Sequence, residues 1–191
     1  MQINSLTGQL LLAMPTLQDP NFRDSVVLVC HHDADGCMGL IINRPQDLTV
    51  EAVLEDLKYS SDKQASGSSE WRNQSTFSGG PMDPFRGFVL HDGWHVYEST
   101  MQVSPEIHLT ASRDVIEDIG SGNGPEHFML ILGYTGWGEG QLESELGNND
   151  WLVAPANQHI VFHVPPEMRW GIGARSMGID RSMLSDQIGH A

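Results

Sequence analysis

The chain has 191 residues, 39% hydrophobic and 18% charged, which suits one globular domain (residues 1–191) with a real core. Asp and Glu number 25 against 10 Lys and Arg, a net charge of −15, and the basic residues stand singly, so composition opposes direct nucleic-acid binding. No apolar run is long enough to span a bilayer; residues 1–5 carry no Lys or Arg and no signal-peptide layout, so a cytoplasmic location with reduced thiols is expected.

In chain order, residues 8–14 form a first strand, apolar throughout and buried on both faces. Pro15 and Asp19-Pro20 punctuate a connection. The β-branched run 26–30 is a second strand, Asp33-Ala34-Asp35-Gly36 a turn, and 37–43 a third strand, closing a hairpin that ends at Arg44-Pro45. Thr49 caps a helix over 50–57, with Val50, Val53, Leu54 and Leu57 on one face. Residues 60–75 read as a polar, flexible loop, followed by the glycine turn Phe77-Ser78-Gly79-Gly80-Pro81.

Residues 86–90 form a strand that leads into His91-Asp92-Gly93-Trp94-His95, expected as a solvated loop. Residues 102–109 are an edge strand, placed there by Pro105. Ser112 caps a helix over 113–119 that stops at Gly120. Residues 128–134 are the central strand. Gly136-Trp137-Gly138-Glu139-Gly140-Gln141 opens a helix that buries Leu142 and Leu146. Residues 151–154 and 159–164 are further strands, and Pro166 starts a last helix with Met168, Trp170, Ala174 and Met177 on its face, ending near Gly178. Strands joined by tight turns alternate with helices, which argues for a mixed sheet rather than a doubly wound parallel one.

Several fragments stand in a characteristic order and spacing: the segment from Gly8 to Pro45, Gly79-Gly80-Pro81, Thr110-Ala111-Ser112-Arg113-Asp114-Val115, Gly133-Tyr134, Gly136-Trp137, Gly140-Gln141-Leu142-Glu143 with Glu145, Trp151, Arg169-Trp170 and Gly178-Ile179-Asp180. Together they resemble the bacterial YqgE/AlgH family over nearly the whole chain. The resemblance implies an α+β fold, a mixed, bifurcated sheet curled into a pseudo-barrel with helices packed outside. It also brings the label of transcriptional regulator, although no helix-turn-helix or zinc-finger signature is present. Cys37 stands where relatives usually carry a small residue.

Three constellations could carry chemistry. With Ala34-Asp35 at the hairpin tip, His32 faces Cys37 and Cys30 faces Gly39, so Cys30, His32 and Cys37 share one face, as a redox pair or soft-metal site would require. A one-residue slip destroys that cluster; the competing reading is an ordinary core cysteine beside a turn-edge histidine. His91-Asp92-x-x-His95 fits no metalloprotease spacing. The glycine turns fit no phosphate-loop pattern, and no nucleophile motif is present. Should a ligand site exist, its lining is expected from the motif residues on turns: Asp19, Pro20, Asn43, Arg44, Gly79, Gly80, Pro81, Gly136, Trp137, Gly138 and Gln141. No catalytic residue, metal or cofactor is assigned. The expected function is non-catalytic binding or regulation through a small ligand or a protein partner, with no membrane or nucleic acid. The alternatives are redox or metal chemistry at Cys30 and Cys37, and a transcriptional regulator.

Overall fold

Leu10 and Leu12 face one side of the first strand and Leu11 and Ala13 the other, and all four are buried. That two-sided burial organises the computed structural model, which describes residues 5–59, 70–93 and 95–185. The elements are β1 (Gln9–Ala13), β2 (Val26–Asp33), β3 (Gly36–Ile41), β4 (Pro45–Thr49), α1 (Val50–Asp56), β5 (Ser75–Ser78) and β6 (Met82–His91). Then come β7 (Thr100–Ser104), β8 (Ile107–Thr110), α2 (Asp114–Ser121), β9 (Phe128–Gly138), α3 (Gln141–Gly147), β10 (Trp151–Pro155), α4 (Pro166–Ser176) and α5 (Arg181–Ser185). One sheet runs β10-β1-β2-β3-β9-β6-β8-β7, with β4 and β5 on a branch.

The branch starts at β9. β6 pairs antiparallel along one edge of β9. The other edge is shared: β3 takes Thr135 to Gly138, and β5 runs parallel beside Ile131 and Leu132. Gly79 sits in the crotch of this fork. Its N–H donates to Leu132 O and its carbonyl accepts from Ile41 N–H, both at 2.8 Å. A Cβ on Gly79 would stand 2.3 Å from Gly133 O, and one on Gly80 2.3 Å from Tyr134 O, so only glycine lets these backbones meet.

The sheet curls around an inner core that includes Leu10, Leu28, Leu40, Phe88 and Ile131, closed by Trp170 and Ala174 of α4. The Trp170 indole donates to Ala13 O at 2.9 Å, and Gly173 lets α4 pack on Leu12. On the outer face, α3 covers Leu11, Val27 and Trp137, while α1 and α2 cover Val89 and Leu130. The fold is therefore the α+β, forked and curled sheet expected from the resemblance. Among the described residues no helix is long and apolar enough to cross a membrane.

Several elements differ from expectation. Residues 159–164 are not a strand: His159–His163 form a π-helical turn in which Asn157 Oδ1 accepts from Ile160 N–H at 2.9 Å, and the neighbours Ile160 and Val161 are both buried. Pro105 lies in a tight turn that splits residues 100–110 into β7 and β8. Pro45 opens β4 instead of ending a hairpin, and Ser75–Ser78 is a strand. Glu70–Asn73 is a 3-10 turn tied to α1 through Arg72 and Glu51 at 2.9 Å, while residues 60–69 of the expected loop lie outside the described residues. Gly136, Trp137 and Gly138 belong to β9, not to a turn. Thr49 caps α1 as expected, through Oγ1 to Ala52 N–H, but Leu57 is exposed. Ser112 does not cap α2; its hydroxyl donates to Asp114, and the helix runs to Ser121 and ends at left-handed Gly122. On α4 the buried face is Arg169, Trp170, Gly173 and Ala174, with Met168 and Met177 half exposed.

Candidate functional site

The β2–β3 hairpin pairs His32 with Cys37 as its tip dictates, but a β-bulge between Val29 and His31 changes the register below it. Gly39 pairs with Val29, not Cys30. Cys30 therefore points into the inner core with Leu28, and Cys37 lies on the outer face with Trp137. The expected trio does not share a face. His32 stays with Cys37; its Nδ1 accepts from Leu6 N–H, and its Nε2 donates to Glu143 at 2.9 Å. Both thiols are free. Burial pushes Cys37 up to about 12, helped by the Glu143 charge, and raises Cys30 further. Among the described residues no group of His, Cys, Asp or Glu side chains is arranged to hold a metal ion.

The turn residues expected to line a ligand site brace the fold. Asn43 Oδ1 accepts from Val26 N–H, and its Nδ2 donates to Asp24 O. Arg44 donates to Asn21 O and Arg23 O, and Asp19 Oδ1 closes the same loop on Asn21 N–H, beside exposed Pro20. Gly79 and Gly80 fill the sheet fork, with Pro81 following. One Glu145 oxygen accepts both the Trp137 and Trp151 indoles at 2.8 Å, and the other accepts from Gln141, whose Oε1 takes Gly138 N–H. Gly136 packs under Met82 Sδ. None of these residues lines the cavities described below.

A cavity of about 700 Å³ lies instead between α1, β6, β9 and the loop from β8 to α2. Its floor is Val89, Leu130 and Leu132, and its walls are Val53 and Ile116. Leu48, Leu57 and Phe85 stand at its rim, and Phe85 is 95% exposed. The size falls in the range of small-molecule sites, and the lining is mainly apolar. Arg86 and Arg113 both line this cavity. Arg86 lies over the rings of Phe88 and Tyr134, at 5.2 and 5.9 Å, and the Arg113 guanidinium has no partner among the described residues. Asp56 is its only acidic lining residue.

The cavity wall continues into a buried polar network. Thr110 is fully buried and lines the cavity. Its hydroxyl lies 2.8 Å from His91 Nε2 and 2.8 Å from Thr100 Oγ1, which accepts from Tyr97 N–H. The solvated loop expected at His91 and Asp92 is therefore corrected: both are buried. Asp92 accepts the backbone N–H and the Nδ1–H of His127, the latter at 2.7 Å, and a third bond from Gln158. The His163 ring sits 4.5 Å from that of His127. Sequence reasoning passed over His127, His163 and Arg113; only Arg113 lay in a quoted motif, where it served the resemblance and not a site.

Three kinds of likeness bear on these features. The profile of the AlgH-like family matches residues 10–182. A UPF0301 protein of Thioalkalivibrio sulfidiphilus is 43% identical over 98% of this chain and 98% of its own length, and one of Methylococcus capsulatus is 44% identical over 97% and 96%. The solution structure of the AlgH protein from Pseudomonas aeruginosa superposes with a TM-score of 0.78 at 40% identity, covering 100% of this chain and 98% of that one. A crystal structure of a protein from Corynebacterium diphtheriae shares the fold with a TM-score of 0.73 at 20% identity, covering 97% and 94%.

Proposed function

The chain belongs to the AlgH-like family, and from that premise we propose that it is a non-catalytic binding protein whose ligand is a small amphipathic anion. The observation that carries this reading is the apolar cavity of about 700 Å³, with the bare Phe85 ring at its rim. The ligand's apolar body occupies the space over Leu130 and Leu132, and its anionic head reaches Arg113. Covering Phe85 contributes about 1.5–3 kcal/mol from removal of apolar surface from water. Regulation follows if the filled and empty cavity present Phe85 differently to a protein partner.

Against the redox alternative stand the positions of Cys30 and Cys37 on opposite sides of the sheet and their raised thiol pKa values. Reactive thiols are held low, not high. Against direct DNA binding stand the net charge of −15 and the engagement of Arg44, Arg72, Arg169 and Arg181 inside the fold or in ion pairs. A cytoplasmic setting fits the free thiols.

Fluorescence titration with 8-anilinonaphthalene-1-sulfonate, an aromatic body bearing one anion, tests the proposal. Saturable binding at one site is expected in the native protein. Gly87→Val is expected to abolish it, because Gly87 lines the cavity and a Cβ there meets nothing nearer than Leu132 Cδ2 at 3.9 Å. Non-saturating binding, or binding unchanged in Gly87→Val, contradicts it.

A further inference from the structure

The strongest unassigned feature is the side chain of Arg169. It is 4% exposed in a chain of net charge −15, yet no carboxylate pairs with it among the described residues. Nε donates to Val164 O at 2.9 Å, and Nη1 donates to Ile42 O, a carbonyl at the sheet fork; Met129 Sδ lies 3.9 Å from Nη1. The guanidinium lies over the Phe77 ring at 5.4 Å. These contacts occupy Nε and Nη1. Nη2 has no partner among the described residues. A buried guanidinium without a counter-charge is expensive, and an anion would offset much of that expense.

Arg169 opens onto a cavity of about 420 Å³ whose lining is mainly apolar, with Ser75, His163 and Gln74 as its neutral polar residues. One wall is the first turn of α4, where Pro165 and Pro166 stand and no side chain caps the helix. Pro165 and Pro166 carry no N–H and Met168 N–H already donates to Pro165 O at 2.9 Å, so Glu167 N–H is the remaining first-turn donor, at the positive end of the helix dipole. Exposed His163 and half-buried Ser75 line the same cavity, and neither side chain is committed to a hydrogen bond among the described residues. Glu167 is the one acidic lining residue. Burial lowers the Arg169 guanidinium to about 10, and the Glu167 charge acts the other way. Glu167 is exposed, so it fills the role of counter-ion only weakly.

We propose that the α4 N-terminus, Arg169, His163 and Ser75 form a second binding site, for a compact oxyanion: the phosphoryl or carboxylate group of a small molecule. Arg169 supplies the buried charge and a free Nη2, Glu167 N–H at the start of α4 supplies one backbone donor, and the imidazole and hydroxyl complete the cradle. Glu167 competes with the ligand for the guanidinium. This site is separate from the apolar cavity and stands or falls independently of it.

The test is an NMR titration of the full chain with inorganic phosphate and, in parallel, sodium acetate, each against sodium chloride at matched ionic strength. The Arg169 guanidinium N–H signals and the backbone N–H of Glu167 are expected to shift and saturate with at least one of the two oxyanions. Saturation with phosphate alone assigns the site to phosphoryl groups, and saturation with acetate as well assigns it to both. Glu167→Gln, an exposed change, is expected to tighten binding up to about fivefold, the size of an exposed ion-pair effect. His163→Ala is expected to weaken it. Shifts that chloride reproduces, that never saturate, or that Glu167→Gln leaves unchanged overturn the site.

Discussion

His91 Nε2 lies 2.8 Å from Thr110 Oγ1, and this single contact joins the wall of the apolar cavity to the buried histidine end of the sheet. The proton positions follow from the partners. His91 Nδ1 faces the Asp92 carbonyl at 3.0 Å and must donate, so Nε2 accepts the Thr110 hydroxyl proton. Thr110 in turn accepts from Thr100, whose oxygen takes the Tyr97 N–H. The Thr100 and Thr110 hydroxyls thus each donate once and each accept once.

Thr110→Val keeps the shape and removes the hydroxyl. It leaves the buried His91 Nε2 and the partly buried Thr100 hydroxyl without their partner. A loss of about 1–3 kcal/mol is expected, measured as a lower urea midpoint with an unchanged m-value. Thr110→Ser should recover most of it.

His91 also sets a pH dependence. Burial lowers its pKa below the ordinary imidazole value, and the facing His108 acts in the same direction. The unfolded chain therefore binds a proton at a pH where the native His91 does not. Unfolding takes up that proton, so stability falls as pH drops below about 6.5, and the loss ends once native His91 also protonates. Asp33, held low by His31 and the Asp35 N–H, and Asp180, held low by Ser182, act in the same sense but at lower pH, because there too the unfolded chain binds the proton first. Their stabilisation is lost only below the ordinary carboxylate range near about 3.9. Urea midpoints at pH 7.5 and 5.5 are expected to differ, with the lower one at pH 5.5.

Two glycines in quoted motifs should behave oppositely. Gly79→Ala drives a Cβ to 2.3 Å from Gly133 O at the sheet fork, where backbone must move. Gly138→Ala meets nothing within 4 Å. Thermal melts are expected to show loss of several kcal/mol or failure to fold for the first, and a change within about 0.5 kcal/mol for the second.

The thiols are expected to be inert in the native state. Cys30 is sealed in the inner core, and Cys37 sits at about 12 beside Glu143. Maleimide labelling at pH 7.5 should be slow on both and should become rapid in urea. Fast labelling of Cys37 in native protein would revive the redox alternative.

What could be read in advance follows from range. The continuous apolar run of β1 and the Thr49 cap are local signals, and both appear as expected. The bulge after Val29 is not local, because β3 on one side and β1 on the other decide where the ladder slips. It separated Cys30 from Cys37, which strand periodicity alone had put together. Residues 159–164 failed for another reason: a short apolar run has the same pattern in a strand and in a buried helical turn. The cavity draws on chain from Leu48 to Leu132, and no spacing within one segment encodes such a shape. The glycine motifs were visible but carry packing at the fork, since close backbone approach and ligand approach both select glycine.

The most direct test of the binding proposal is a methyl-resolved NMR titration of the native chain with sodium octanoate below its micelle concentration. The account predicts saturable shifts at Val53, Val89, Ile116, Leu130 and Leu132, which line the cavity, and none at Leu11 or Leu28, which are sealed in the other cores. Arg113→Gln should weaken the binding, and Gly87→Val should abolish it. Shifts absent from the cavity methyls, or equal at Leu11 and Leu28, would contradict the account.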